Sequence, residues 1–208
     1  MIVPAFLVVV GLGGASGAVS TNAALSRWLK MAASSLVVVV ALVAADEATA
    51  YLALVIGALC SSWIGDLSLS FDSRRAFVIG LLSFAVAHVL YTVAFISIGP
   101  PSVGWLCAGV VLMAVVGALV IRWLRPHLPD ALVLPVGGYV VIIGAMVSFS
   151  FGTLGGPGAS WLPIAAVLFA GSDVLVARNQ FTTPSTTNRV IGLPLYFAAQ
   201  VLFAFSVG

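Results

Sequence analysis

Two aspartates, Asp66 and Asp173, lie inside long apolar runs of the chain. Asp66 sits in Ser61-Ser62-Trp63-Ile64-Gly65-Asp66-Leu67-Ser68-Leu69, and Asp173 in Ala170-Gly171-Ser172-Asp173-Val174. An ionisable group in hydrocarbon is costly, and where one is kept it points first to function. Two carboxyl groups in a low-dielectric site need not share one protonation state. One stays protonated and serves as an acid; the other stays charged and steadies a cation or activates water. A charge pair that only ties helices together is the simpler alternative. It loses weight when two such groups are expected at matched depth.

Other polar residues gather in the same apolar runs. Phe77, Gly80, Phe84, His88 and Tyr91 follow one another at spacings of three, four, four and three, which puts them on one helix face. An aromatic stripe alone reads as core packing, but histidine is disfavoured toward lipid, so this face turns inward. Tyr196 and Gln200 lie one turn apart, Tyr139 stands in another run, and Ser62 lies one turn before Asp66, in reach of its carboxylate. These four, with His88 and Tyr91, are candidates to position substrate and water. Lys30 and Arg74 are placed for a lipid headgroup phosphate, although ordinary interfacial anchoring accounts for loop cations equally well.

Other chemistries fit poorly. There are two histidines, one of them (His127) in a loop, and no HExxH spacing, so no metal or other cofactor is expected. A serine nucleophile lacks its GxSxG turn. An intramembrane aspartyl protease carries GxGD, whereas Trp63 occupies the first glycine position here, and the companion YD and PAL motifs are missing.

The elements that must position these groups are set by composition. Of 208 residues, 62% are hydrophobic and 7% charged, against about a quarter charged in a soluble domain. Lipid must be the solvent, and the net charge of +2 gives no reason to expect nucleic acid. Apolar runs of about 20 residues are expected at Ile2–Ser20, Met31–Ala45, Thr49–Ser70, Ala76–Ile98, Val103–Ile121, Ala131–Gly152, Ala159–Ala177 and from Arg189 or Val190 to the C-terminus. The expected fold is all-α: a polytopic membrane protein whose residues 1–208 form one domain of eight transmembrane helices. No Lys or Arg precedes the first run, which therefore reads as a permanent span and not a signal peptide. Gly13 and Gly17 have the GxxxG spacing of close helix packing. Cys60 and Cys107 are expected as small buried core residues.

All eight Lys and Arg residues fall after odd-numbered spans: Arg27/Lys30, Arg74/Arg75, Arg122/Arg125 and Arg178/Arg189. The positive-inside rule then puts those connections in the cytoplasm and both termini outside. Asp66 lies six residues before Asp72, and Asp173 five before Arg178, which predicts both carboxylates roughly 8–10 Å below the cytoplasmic boundary.

Taken together these residues resemble the YhhN family of lysoplasmalogenases. The likeness is carried by Gly65-Asp66; by Phe77-Val78-Ile79-Gly80 with Phe84, His88, Tyr91 and Phe95; by Tyr139 with Met146; by Gly171-Ser172-Asp173 followed by Phe181; and by Tyr196 with Gln200. Lys30-Met31 departs from the Lys-Pro usual in the family, and Leu195-Tyr196-Phe197 from its Tyr-Tyr pair. The resemblance implies an eight-helix enzyme of the cell membrane that hydrolyses the vinyl ether of a lysophospholipid from the cytoplasmic side. Asp66 and Asp173 would divide the roles of acid and anion. A proton-coupled transporter or lipid-binding protein is the competing reading, and a clear internal repeat would favour it.

Overall fold

Without water to satisfy them, the peptide groups of an apolar run are closed internally as helix. The computed structural model describes residues 2–19, 22–158 and 160–208. They form α1 (Ile2–Ala18), α2 (Ala23–Ala44), α3 (Ala50–Ser68), α4 (Arg74–Ile98), α5 (Val103–Leu124), α6 (Asp130–Gly152), α7 (Leu162–Phe181) and α8 (Thr186–Ala204), with no strand among the described residues. Seven helices are long and apolar enough to cross a membrane, and α1 is a shorter apolar helix. The expected boundaries at Ser20 and Ala159 lie outside the described residues.

Short polar side chains set where helices begin. Asn22, Thr49, Ser73 and Ser185 each accept an N–H of the first turn of α2, α3, α4 and α8. Two expected boundaries move as a result. α2 starts at Ala23 and not at Met31, so Arg27 and Lys30 ride on the helix instead of in a loop. Much of the expected loop from Arg178 to Asn188 is also helical: α7 runs on to Phe181, and α8 starts at Thr186 under the Ser185 cap.

In chain order α1, α2, α3, α4, α6, α7 and α8 pack each on the next, and α8 closes the ring against α1. α8 also reaches across the interior to α2. α5 stands outside the ring, held mainly by α6, with slight contact to α7. Small residues permit the closest approaches. A Cβ on Gly13 would overlap the Phe197 ring of α8 at 2.1 Å, and one on Gly17 would meet the Arg189 carbonyl at 2.9 Å, so the GxxxG face of α1 is its seam with α8. Gly65 likewise makes room for the Phe84 ring of α4, whose Cε2 stands 2.6 Å from where a Cβ would lie.

The outer surface is apolar, with side chains such as Leu134, Val141, Val111 and Leu119 well exposed, as lipid requires. Cys60 and Cys107 belong to this exposed surface and not to the core; both are free thiols. Trp105 and Trp123 mark the two ends of α5, about 27 Å apart along the helix, which matches the hydrocarbon thickness of a bilayer. The chain is an integral membrane protein. All eight Lys and Arg residues gather at one end of the bundle. There Arg27 bonds the Ser70 carbonyl, Arg189 bonds Ser26, and the Phe77 and Phe181 rings meet edge to face. Asp46 and Glu47, exposed between α2 and α3, lie at the other end.

The α1–α8 seam gives a paired test. Gly13→Leu is expected to lower stability by about 1–3 kcal/mol through overpacking, whereas Gly11→Leu, where a Cβ meets nothing within 4 Å, is expected to be neutral. Thermal unfolding in detergent micelles reads the difference.

Candidate active site

Asp66 is buried and surrounded by donors. Lys30 and Ser34 lie one turn apart on α2 and both face it. Lys30 Nζ is 3.4 Å from Oδ1, and Ser34 Oγ donates to Oδ2 at 2.5 Å. Tyr196 of α8 donates to the same Oδ2 at 2.7 Å. Behind it Gln200 Nε2 donates to Tyr196 Oη at 3.0 Å, and Tyr91 of α4 donates to Gln200 Oε1 at 2.7 Å. The hydrogen bonds of this chain run from Tyr91 through Gln200 and Tyr196 to the carboxylate. Short, charge-assisted bonds of this kind belong to an ionised acceptor. The geometry is that of a carboxyl group met by donors on both oxygens.

Asp173 has a different setting. Tyr139 of α6 donates to Oδ2 at 3.2 Å, and His88 Nε2 of α4 stands 3.3 Å from the same oxygen without the alignment of a formed hydrogen bond. His88 is fully buried, and its Nδ1 bonds the Phe84 carbonyl. A carbonyl only accepts, so Nδ1 carries a proton and Nε2 is the atom left to face Asp173. A bare carboxylate opposite an imidazole lone pair is repulsive. The pair is relieved when one proton lies between them, on the carboxyl or on Nε2. Both contacts involve Oδ2, so Oδ1 has no protein partner among the described residues.

The two carboxylates do not share a partner. The Phe169 ring stands between their networks, 4.6 Å from the His88 ring and 5.2 Å from the Tyr196 ring, with Phe84 edge-on to both Phe169 and Tyr196. The two carboxyl groups lie at different distances from the ends of their own helices. α3 runs only two residues past Asp66, about 3 Å, whereas α7 runs eight past Asp173, about 12 Å. The registers on α4 agree: the Phe84 ring packs on Gly65, beside Asp66, while His88, the partner of Asp173, lies one turn deeper.

A cavity of about 320 Å³ opens among α4, α5, α6 and α7. Its walls are apolar, including Phe77, Leu81, Met113, Val120 and Ile143, and the ionisable groups on them are Tyr139 and Asp173. Asp66 does not line it. Gly171, two residues before Asp173, borders the cavity with open space where a side chain would project. The arrangement suits an apolar chain whose reacting atoms reach the Asp173 carboxyl. Among the described residues no three His, Cys, Asp or Glu side chains gather to hold a metal ion.

Of the residues singled out in the sequence, Tyr91, Tyr196 and Gln200 join Asp66, while His88 and Tyr139 join Asp173. Ser62 does not bond Asp66; its buried hydroxyl has no partner among the described residues, and Ser34 of α2 makes that bond instead. Lys30 pairs with Asp66 inside the bundle, and Arg74 is exposed at the start of α4. The parts not foreseen are Ser34 and Phe169. Ser34 follows Lys30 by one turn, a spacing that becomes visible only once α2 is known to extend back to Ala23.

The profile of the YhhN family matches residues 25–207. Lysoplasmalogenase TMEM86A of Bos taurus is 37% identical over 154 residues, covering 71% of this chain and 62% of the relative. Lysoplasmalogenase TMEM86B of Sus scrofa is 35% identical over 173 residues, 81% of this chain and 70% of the relative. A lysoplasmalogenase of Mycobacterium bovis is 34% identical over 134 residues, 61% of this chain and 49% of the relative. The chain thus spans between 49% and 70% of the length of these curated relatives. No solved structure matches it.

The Lys30–Asp66 pair predicts a thermodynamic coupling. Asp66→Asn or Lys30→Met alone leaves a buried group unpartnered and is expected to cost about 3–5 kcal/mol. The double variant is expected to cost clearly less than the two single changes together, as read by thermal unfolding of all four proteins.

Proposed function

The chain belongs to the YhhN family, and from that premise we propose that it is a lysoplasmalogenase, hydrolysing the vinyl ether of a lysophospholipid to a fatty aldehyde and a glycerophospho-alcohol. The observation that carries this reading is the apolar cavity whose polar wall is Tyr139 and Asp173, with His88 behind. A vinyl ether needs a proton donor at its β-carbon and no metal. The alkenyl tail lies in the cavity, and the proton held between Asp173 and His88 passes to that carbon. The α-carbon becomes an oxocarbenium ion beside the newly formed Asp173 carboxylate. Water adds to the α-carbon and returns a proton to the Asp173–His88 pair. Collapse of the hemiacetal moves a proton to the ether oxygen and breaks the carbon–oxygen bond. One water is consumed and the acid is restored, in the manner of the two-carboxylate glycosidases.

In this reading Asp173 is the acid and Tyr139 orients it. Asp66 is the standing anion, one aromatic layer away, and its negative charge favours the cationic intermediate. Tyr91, Tyr196, Gln200 and Ser34 keep it ionised and in place. The chain acts as a single eight-helix domain. The positive-inside rule puts its basic end, and with it the access to the site, in the cytoplasm, with both termini outside. The host is the cell membrane.

Purified protein incubated with a lysoplasmenyl lipid is expected to release fatty aldehyde. Asp173→Asn is expected to slow release by about 100-fold or more, the scale of general acid catalysis, with Asp66→Asn also strongly impaired. Uptake into vesicles without aldehyde, or full activity of Asp173→Asn, overturns the reading. Gly171→Leu, which places a side chain into the cavity, is expected to shift preference toward shorter alkenyl chains, measured as kcat/KM across a chain-length series.

A further inference from the structure

A second, more open pocket of about 540 Å³ lies at the basic end of α7, lined by Trp123, His127, Val174, Arg178 and Thr182 among others. Val174 lines both this pocket and the apolar cavity that holds Asp173. The two spaces therefore share a wall one residue beyond the proposed acid. We infer that the open pocket seats the headgroup phosphate of the lysolipid on Arg178, an assignment that rests on the lysophospholipid reading above.

The order of groups along α7 matches the order of groups along such a lipid. Gly171 borders the tail cavity, Asp173 reaches the reacting bond, and Arg178 follows five residues on, about 7.5 Å along the axis. A three-carbon glycerol backbone and one ester oxygen separate the vinyl ether oxygen from the phosphorus, a comparable span. The guanidinium fork is the side chain suited to two phosphate oxygens at once.

Charge supports the same occupant. Among the described residues Arg178 forms no ion pair with a carboxylate, and no Asp or Glu lines the pocket. The Arg178 carbonyl accepts from Thr182 Oγ1, Thr182 N and Thr183 N, which fixes the last turn from which the side chain springs. Lys30 is engaged by Asp66, and neither Lys30 nor Arg74 lines either pocket. A cation in the last turn also complements the helix dipole and anchors the interface. A structural role of that kind does not distinguish a phospholipid from its phosphate-free counterpart.

The test compares binding of two uncleavable ligands to the detergent-purified full chain: a saturated alkyl ether lysophosphocholine and the matching alkylglycerol, which lacks phosphate. Arg178→Gln is expected to weaken the phospholipid about tenfold and to leave alkylglycerol binding unchanged, which also reports an intact fold. Equal loss for both ligands, or no loss for either, overturns the assignment. So does wild-type binding of inorganic phosphate alone as tight as that of the lysolipid, since the site would then serve a free anion. If wild-type protein binds the lysophosphocholine through Arg178 but releases no aldehyde from the vinyl ether lipid, the reaction fails while the headgroup site stands.

Discussion

The rest of the structure depends on one constraint: a charge kept inside a lipid-solvated bundle must be answered by the protein itself. Asp66 meets it with Lys30 and Ser34 from α2 and Tyr196 from α8, and through Gln200 it draws in Tyr91 of α4. Four helices are thereby fixed around one carboxylate. Helices in a membrane have no hydrophobic drive to associate, so such polar contacts and small-residue seams carry the specificity of packing. The α1–α8 seam at Gly13 and Gly17 and this anion network act on the same element. α8 is held by glycines on one side and by Asp66 on the other.

The two aspartates are alike in sequence and unlike in surroundings. Asp66 faces donors on both oxygens; Asp173 faces a histidine nitrogen that is left to accept because its partner nitrogen is committed to the Phe84 carbonyl. The two carboxyl groups thus sit among different partners, and a difference of surroundings is how paired acids come to divide their roles. Phe169 and Phe84 insulate the two settings, so each network is completed without competing for the other's partners.

Much of this was legible before any coordinates. The eight helices follow from hydrophobic runs, and the grouping of cations at one end follows from their alternation along the chain. The inward face of α4 follows from the spacing of Phe84, His88 and Tyr91. What was not legible lies at helix ends and across helix pairs. Polar residues at Asn22 and Ser185 act as caps and extend helices into stretches that composition alone reads as loops. That shift brought Lys30 and Ser34 onto one face, and α7 runs on past Arg178 to Phe181. Ser62 and Ser34 show the other limit. Both are serines near an aspartate, and only the packing of α2 on α3 decides which hydroxyl reaches it. The two cysteines show it again: outward and inward positions of an apolar helix look alike when lipid is the solvent.

The position of α5 has a further consequence. This helix supplies Met113, Val116 and Val120 to the apolar cavity, yet it stands outside the ring and is fastened mainly to α6. The cavity is therefore bounded on one side by a wall that itself faces the bilayer. A ligand crossing that wall never passes through water, so its occupancy follows its mole fraction in the surrounding leaflet and not its bulk concentration. For the proposed reaction the site then stands between two phases. An apolar aldehyde would partition toward the membrane beside α5, and a water-soluble phosphate ester toward the aqueous basic end.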